Sequence, residues 1–297
     1  MATFTEHSGS PAVVPGWYPD PGGRHQLRWW DGSRWALGVA DGAVVGEDLL
    51  PAYPALPAGG PPVDARALLP LRAAAIGLVA LVLATFVGSF LAFLITGGEH
   101  RHLLPALLVG QGTLWGGMAG ACWWASHRYG TGSVRTDLGM SARWVDLGWG
   151  FLAALGGRFA AGIVVAILLV LDRRLVGSNT DVFDQLRDDR AAFLALAVLA
   201  AVGAPLFEEL FFRGLLLRSL QPRLGSAGAV AVQALLFGLV HSQPTDGWRN
   251  VSIILSTGLL GVLLGVLAQH FRRLGPGMAT HFFFNLVAVA VIALLLV

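Results

Sequence analysis

The chain reads as an all-α, multi-spanning membrane protein of about seven transmembrane helices, preceded by a small Trp-rich domain built on a β-hairpin. Three observations lead there. Of 297 residues, 55% are hydrophobic and only 13% charged, about half the roughly 25% charged residues usual in soluble domains. From residue 72 onward, apolar runs recur near the ~20 residues needed to cross the hydrocarbon layer. Before residue 72 no such run exists, and tryptophans cluster instead.

The first unit, residues 1–42, contains Gly16-Trp17-Tyr18-Pro19-Asp20-Pro21-Gly22 and Leu27-Arg28-Trp29-Trp30-Asp31-Gly32-Ser33-Arg34-Trp35. Aromatic runs on either side of Asp31-Gly32 predict a hairpin with a tight turn. This stretch resembles a short actinobacterial domain of unknown function, which names no chemistry. Residues 43–70 read as a linker, because five prolines between Pro51 and Pro62 favour an extended tether over a core. Residues 71–297 form the transmembrane domain. Its spans are expected over about 73–96, 103–126, 145–171, 191–219, 227–242, 251–271 and 277–297.

The chain has no Lys, and its 20 basic residues are all Arg. With the N-terminus inside, cytoplasmic segments hold twelve arginines and outer loops six, so the bias predicts a cytoplasmic N-terminus in the cell membrane. Four of the outer six share one loop with five aspartates, Asp172, Asp181, Asp184, Asp188 and Asp189. A net charge of +2 without a basic run argues against nucleic acid as a partner. The single Cys122 permits neither a disulfide framework nor a cysteine-rich metal site. No apolar core of a cleavable signal peptide precedes the first span, so that span is expected to direct insertion.

Glu208, Glu209 and Arg213 interrupt the apolar run from Ala191 to Leu220. A charged group at bilayer depth costs roughly 3 kcal/mol or more, so such residues are either paired or used. On a helix, Glu209 and Arg213 are i and i+4, on one face, in the order that favours an ion pair. Glu208 points about 100° away, toward another partner. His241 ends the fifth run, and His281 and Asn285 share a face of the seventh. At ~1.5 Å per residue, Glu208, His241, His281 and Asn285 lie about 18, 22, 9 and 15 Å deep, close enough for one cavity. A carboxylate with two imidazoles can deprotonate water, alone or with a metal. Asn285 offers an amide N–H to an oxyanion, and His281 either a proton or a metal ligand. A structural ion-pair network, a helix-end histidine and an interhelical hydrogen-bonded pair are the plain alternatives. Arg158, after Gly156-Gly157, is a second intramembrane charge with no assigned partner.

These residues resemble the CPBP family of intramembrane proteases, whose pattern is Glu-Glu-x-x-x-Arg, Phe-x-x-x-His and His-x-x-x-Asn/Asp on successive helices. The matching stretches are Glu208-Glu209-Leu210-Phe211-Phe212-Arg213, Phe237-Gly238-Leu239-Val240-His241 and His281-Phe282-Phe283-Phe284-Asn285. The resemblance covers about 135–297. It implies an intramembrane endopeptidase that acts at the cytoplasmic side on a membrane-embedded or membrane-tethered polypeptide within the lipid bilayer. Glu208 would activate water, His241 would coordinate it, and His281 with Asn285 would complete the site, supported by Glu209 and Arg213. It also implies a divalent metal, zinc, on Glu208, His241 and His281, although no His-Glu-x-x-His motif is present. Serine, aspartyl and site-two protease types lack their residues here. The alternative is a non-catalytic immunity or scaffold protein of the same fold; a transporter would need further charged sites along a path.

Overall fold

The computed structural model describes residues 13–21, 24–41, 44–49, 69–97, 103–178, 180, 182–183, 186, 189–243 and 245–295. Most of the expected linker, and Arg66, Arg101, Asp181, Asp184, Arg187 and Asp188, lie outside them.

The N-terminal unit is a four-stranded antiparallel meander: β1 (Gly16–Pro19), β2 (Leu27–Trp30), β3 (Trp35–Asp41) and β4 (Val44–Glu47). The β2–β3 turn is the one expected at Asp31-Gly32. Asp31 Oδ1 accepts from the Ser33 and Arg34 amides at 2.7 and 2.8 Å, and Gly32 takes φ 102°, a value that favours glycine. The boundary drawn at residue 42 falls inside this sheet, since Val39 pairs with Gly46 and Ala40 with Val45. The two short terminal strands carry too little alternation to be read from sequence. On one face Tyr18, Trp30 and Trp35 pack edge to face, with ring centroids 5.4–6.4 Å apart. Arg28 is buried, with Nε donating to Asp20 Oδ1 at 2.9 Å and Nη2 to Asp48.

Five helical stretches are long and apolar enough to cross a membrane: Leu71–Thr96, Val145–Leu171, Arg190–Val240, Gly247–Phe271 and Gly275–Leu294. The third, of 51 residues, is two passes. Phe212 and Phe237 would stand about 37 Å apart in one straight helix, yet their rings touch at 5.1 Å. The chain reverses at Gly225, whose φ of 65° and ψ of 178° suit a residue without a Cβ. We label α1 Leu71–Thr96, α2 Leu103–Tyr129, α3 Val134–Asp137, α4 Val145–Leu171, α5 residues 190–224, α6 residues 226–240, α7 Asn250–Phe271 and α8 Gly275–Leu295. At 27 residues α2 is as long as α4, but Gln111, Thr113, Ser126, His127 and Arg128 make it more polar. It lies antiparallel along α1, where Gly117 meets Ala84 and Gly110 meets Gly88. Small residues permit that approach in lipid, where apolar burial supplies little drive. Counting α2 and both halves of the hairpin gives the seven passes expected. Large apolar side chains such as Phe86, Phe90, Phe159 and Val170 are 60–87% exposed on the outer faces, as suits lipid rather than water.

One end of the bundle gathers the start of α1, the end of α2, the α5–α6 turn and the α7–α8 turn. We call it the near end, because the sheet rests there: Gln26 Nε2 donates to the Arg218 carbonyl at 3.5 Å. A cavity of about 470 Å³ lies between the two, lined by His25, Gln26, Arg218, Arg223 and Arg272. Asp146 on α4 holds Arg273 of the α7–α8 turn, and Asp137 accepts from Ser126 and Thr131.

In the sheet, burial acts to raise the carboxyl pKa of Asp20. The Arg28 guanidinium and the amides of His25 and Arg24 outweigh it, so the net displacement is downward. A depressed carboxylate stabilises the fold above its unfolded value, near 3.9, and loses that contribution as pH falls through the lower folded value. Asp20→Asn removes one of the two acids on Arg28, at a cost of about 3 kcal/mol, the low end for breaking a buried pair, because Asp48 remains. The expected outcome is faster amide exchange over residues 27–41 at pH 7, with exchange in α4 to α8 unchanged.

Candidate active site

Glu208 and Glu209 sit in a helix that is not uniformly α. Within α5, Arg190–Val198 and Ala204–Glu208 are α-helical, while Leu199–Gly203 and Glu209–Leu217 are wider π turns. The first π turn has a local cause. Pro205 lacks an N–H, and the Ala204 N–H goes to Leu199 O, which frees the Ala200 carbonyl. Asn285 Nδ2 takes that carbonyl at 2.8 Å, tying α8 to α5. Such π turns concentrate at functional sites.

Glu209 and Arg213 are both fully buried and paired, Nη1 donating to Oε1 at 2.9 Å. Arg213 Nη2 donates to Gly261 O on α7 at 3.3 Å, and its guanidinium lies 4.3 Å from the centre of the Phe237 ring. Gln233, also fully buried, donates to the same Gly261 carbonyl at 2.8 Å. On the other side, His281 Nδ1 lies 3.1 Å from Glu209 Oε1. Glu209, held by Arg213, is a carboxylate and accepts, so His281 carries its hydrogen on Nδ1 and a lone pair on Nε2. Gly277 lets α8 approach: a Cβ there would lie 2.9 Å from Glu209 Oε2.

His241 reaches the same point from the end of α6. Its Nδ1 lies 2.7 Å from Phe237 O, and a carbonyl only accepts, so the hydrogen is on Nδ1 and Nε2 again carries a lone pair. Both Nε2 atoms are 3.9 Å from Glu208 Oε2, and that oxygen is buried with no hydrogen-bond partner among the described residues. Three lone-pair atoms therefore converge with no donor between them. A molecule with hydrogens to give, such as water, complements such a group.

The expected residues thus come together. Glu208, His241, His281 and Asn285 line one cavity of about 740 Å³, with Arg158, Trp115, Ser178, Thr180, Ser252 and Ser256 among the other walls. Glu209 and Arg213 stand behind it. Its polar walls extend to Gly177, Ser178, Thr180 and Ser252, in the α4–α5 loop and at the start of α7. Those elements mark the end of the bundle opposite the sheet. The cavity therefore extends away from the end where the N-terminal unit joins.

Glu208, His241 and His281 are the residues that would hold the expected zinc. Among the described residues no group of three His, Cys, Asp or Glu is placed to hold a metal ion. The 3.9 Å separations exceed the roughly 3.4 Å between ligands each about 2.1 Å from one tetrahedral zinc.

Sequence reasoning missed Gln233, the Phe237 ring beneath Arg213, and the partner of Arg158. Gln233, Phe237 and His241 recur at i, i+4 and i+8, a spacing that puts a polar residue on the site face of α6. The Phe284 carbonyl, which accepts from Arg158 Nε at 2.9 Å, carries no such signal.

Fold and site together define a polytopic membrane protein with a buried cluster of two acids, two histidines and an arginine. Residues 190–287 match the family model described as type II CAAX prenyl endopeptidase Rce1-like, and residues 15–48 match that of a protein of unknown function, DUF2510. The first match covers the segment carrying Glu208, His241, His281 and Asn285, which is similar to that model. The second covers the sheet through β4. No curated protein and no solved structure matches the chain.

Arg213→Leu strands Glu209 as a lone buried charge and should cost about 3–5 kcal/mol. Glu209→Leu with Arg213→Leu removes both charges and should restore much of that stability. Thermal unfolding in detergent checks the order, wild type above or near the double variant, and both well above the single.

Proposed function

We propose that the chain is an intramembrane endopeptidase that hydrolyses a peptide bond of a membrane-embedded or membrane-tethered polypeptide, with Glu208 as the base that activates water. The observation that carries this reading is the convergence of Glu208 Oε2 with two imidazole Nε2 lone pairs at 3.9 Å. The match of residues 190–287 to a CAAX-endopeptidase model supports the same reaction class.

In this reading a water held among the three acceptors gives a proton to Glu208 as its oxygen attacks the scissile carbonyl. The C–O bond forms and the carbonyl electrons move onto oxygen. Asn285 has two amide hydrogens; one is used on Ala200 O, and the second faces the developing oxyanion. As the tetrahedral carbon collapses, the C–N bond breaks and the amine takes the proton back from Glu208, directly or through His281 Nε2. An imidazolium formed there is stabilised through Nδ1–H by Glu209, so Glu209 orients the histidine as a buried acid does in a catalytic triad. Arg213 holds Glu209 in position for that task. Every step uses side chains of this chain, and none is routed through a metal.

The test is cleavage of a membrane-tethered peptide library by purified protein in proteoliposomes. Glu208→Gln is expected to lower the rate on the order of 10²–10⁴-fold while the protein melts as wild type does. Full activity in that variant defeats the assignment of the base. A well-folded wild type that cleaves nothing in the library favours the non-catalytic scaffold reading. Dialysis against a zinc chelator is expected to leave cleavage unchanged; loss that zinc restores returns a metal to Glu208, His241 and His281.

A further inference from the structure

We propose that Arg158 recognises a carboxylate on the substrate, so that the polypeptide this site accepts carries a negative charge close to the bond presented to Glu208. This deepens the endopeptidase reading and rests on it.

Arg158 lies within α4 and lines the same cavity as Glu208, His241 and His281. Its Nε and Nη2 donate to the Phe284 carbonyl, the first at 2.9 Å, and its guanidinium lies 3.7 Å from the centre of the Phe284 ring. Phe284 follows His281 by three residues, so Arg158 stands about one helical turn, ~5 Å, along α8 from the imidazole. Both fully buried arginines are neutralised, Arg213 by Glu209 and Arg28 by Asp20 and Asp48, and the half-buried Arg273 is paired with Asp146. Arg158 has no carboxylate within ion-pair distance among the described residues.

A lone cation in the middle of a span is costly, on insertion scales roughly 3 kcal/mol. One carbonyl oxygen and a ring face soften that cost without cancelling the charge. A structural clamp on Phe284 O needs only a neutral donor, whereas a guanidinium presents five N–H groups in a fork that matches a carboxylate. An anion delivered with the substrate supplies the missing charge and leaves with the product. A lipid phosphate fits less well, because headgroups belong at the bilayer surface, whereas Arg158 lies one turn from His281. Two substrate groups share the required chemistry: a C-terminal carboxylate, and an Asp or Glu side chain near the cleaved bond.

The experiment uses full-length protein in proteoliposomes and acyl-anchored apolar octapeptides in matched sets. One set pairs free acid with C-terminal amide; the other, all amides, pairs Asp with Asn at each position. Wild type is expected to cleave one set with about 10–100-fold higher kcat/KM for the charged member, the range set by a hydrogen bond to a charged group, and the responding set identifies the source. Arg158→Gln should reduce the charged peptide to the level of its neutral partner, chiefly through KM. Arg158→Lys should keep most of the preference. Equal rates for both members in wild type, or an equal loss on both in Arg158→Gln, overturn the proposal.

A second measurement does not depend on turnover: binding of the same peptides, fluorescently labelled, to Glu208→Gln protein with and without Arg158→Gln. If wild type cleaves nothing, the endopeptidase reading fails on its own, while a charge preference lost with Arg158 still upholds the carboxylate site. Equal binding of charged and neutral peptides, with bound phosphatidylglycerol lost from Arg158→Gln in native mass spectrometry, overturns it in favour of a lipid.

Discussion

Glu209 is where the helical core is tied together. Its Oε1 accepts from Arg213 one turn later and from His281 on α8, while Arg213 reaches the Gly261 carbonyl on α7. Both charges are fully buried, and at bilayer depth such a charge is tolerable only when neutralised and hydrogen-bonded. The bonds from this pair to His281 and to the Gly261 carbonyl fix three helices relative to one another. They also set which nitrogen of His281 holds its hydrogen, so a requirement of burial becomes the orientation of a site residue. Glu208, next in the chain, is excluded from this arrangement and faces the cavity.

Backbone irregularity places Glu208 as much as side-chain pairing does. It is the last residue of a five-residue α segment between two π turns. Pro205 opens the first turn, and the freed Ala200 carbonyl gives Asn285 an anchor. At the α5–α6 tip Gly225 reverses the chain and returns Phe237 to Phe212, which brings His241 to a glutamate 33 positions earlier in the sequence. A regular helix through residues 190–240 would have kept these groups apart.

Much of this was legible beforehand, for identifiable reasons. Charge in an apolar run is rare enough that Glu208, Glu209, Arg213, His241, His281, Asn285 and Arg158 all stood out, and i, i+4 spacing assigned Arg213 to Glu209. The Asp31-Gly32 turn was visible because its residues have few other conformational uses. What escaped lies in the backbone or in contacts between distant segments. The π turns change no residue pattern. The strand Val44–Glu47 is held by pairing with β3 rather than by its own alternation. The Phe284 carbonyl holding Arg158 is present at every residue and marks none. Arginine counts bear on the ends of helices, whereas the cavity's walls depend on which end the helices splay around, so the two are read from different residues.

The separation of the sheet from the cavity constrains how the two halves can cooperate. The sheet meets the bundle at its near end, whereas the cavity beside Glu208 extends toward the opposite end, so a molecule held at the Trp-rich face does not reach that cavity directly. Any influence between them has to be mechanical. The shortest route begins where Gln26 meets Arg218 and runs up α5, five residues to Arg213 and ten to Glu208. A push at that junction bears on the guanidinium before it reaches the acid. This architecture suits a tuning lever and is unsuited to a delivery arm.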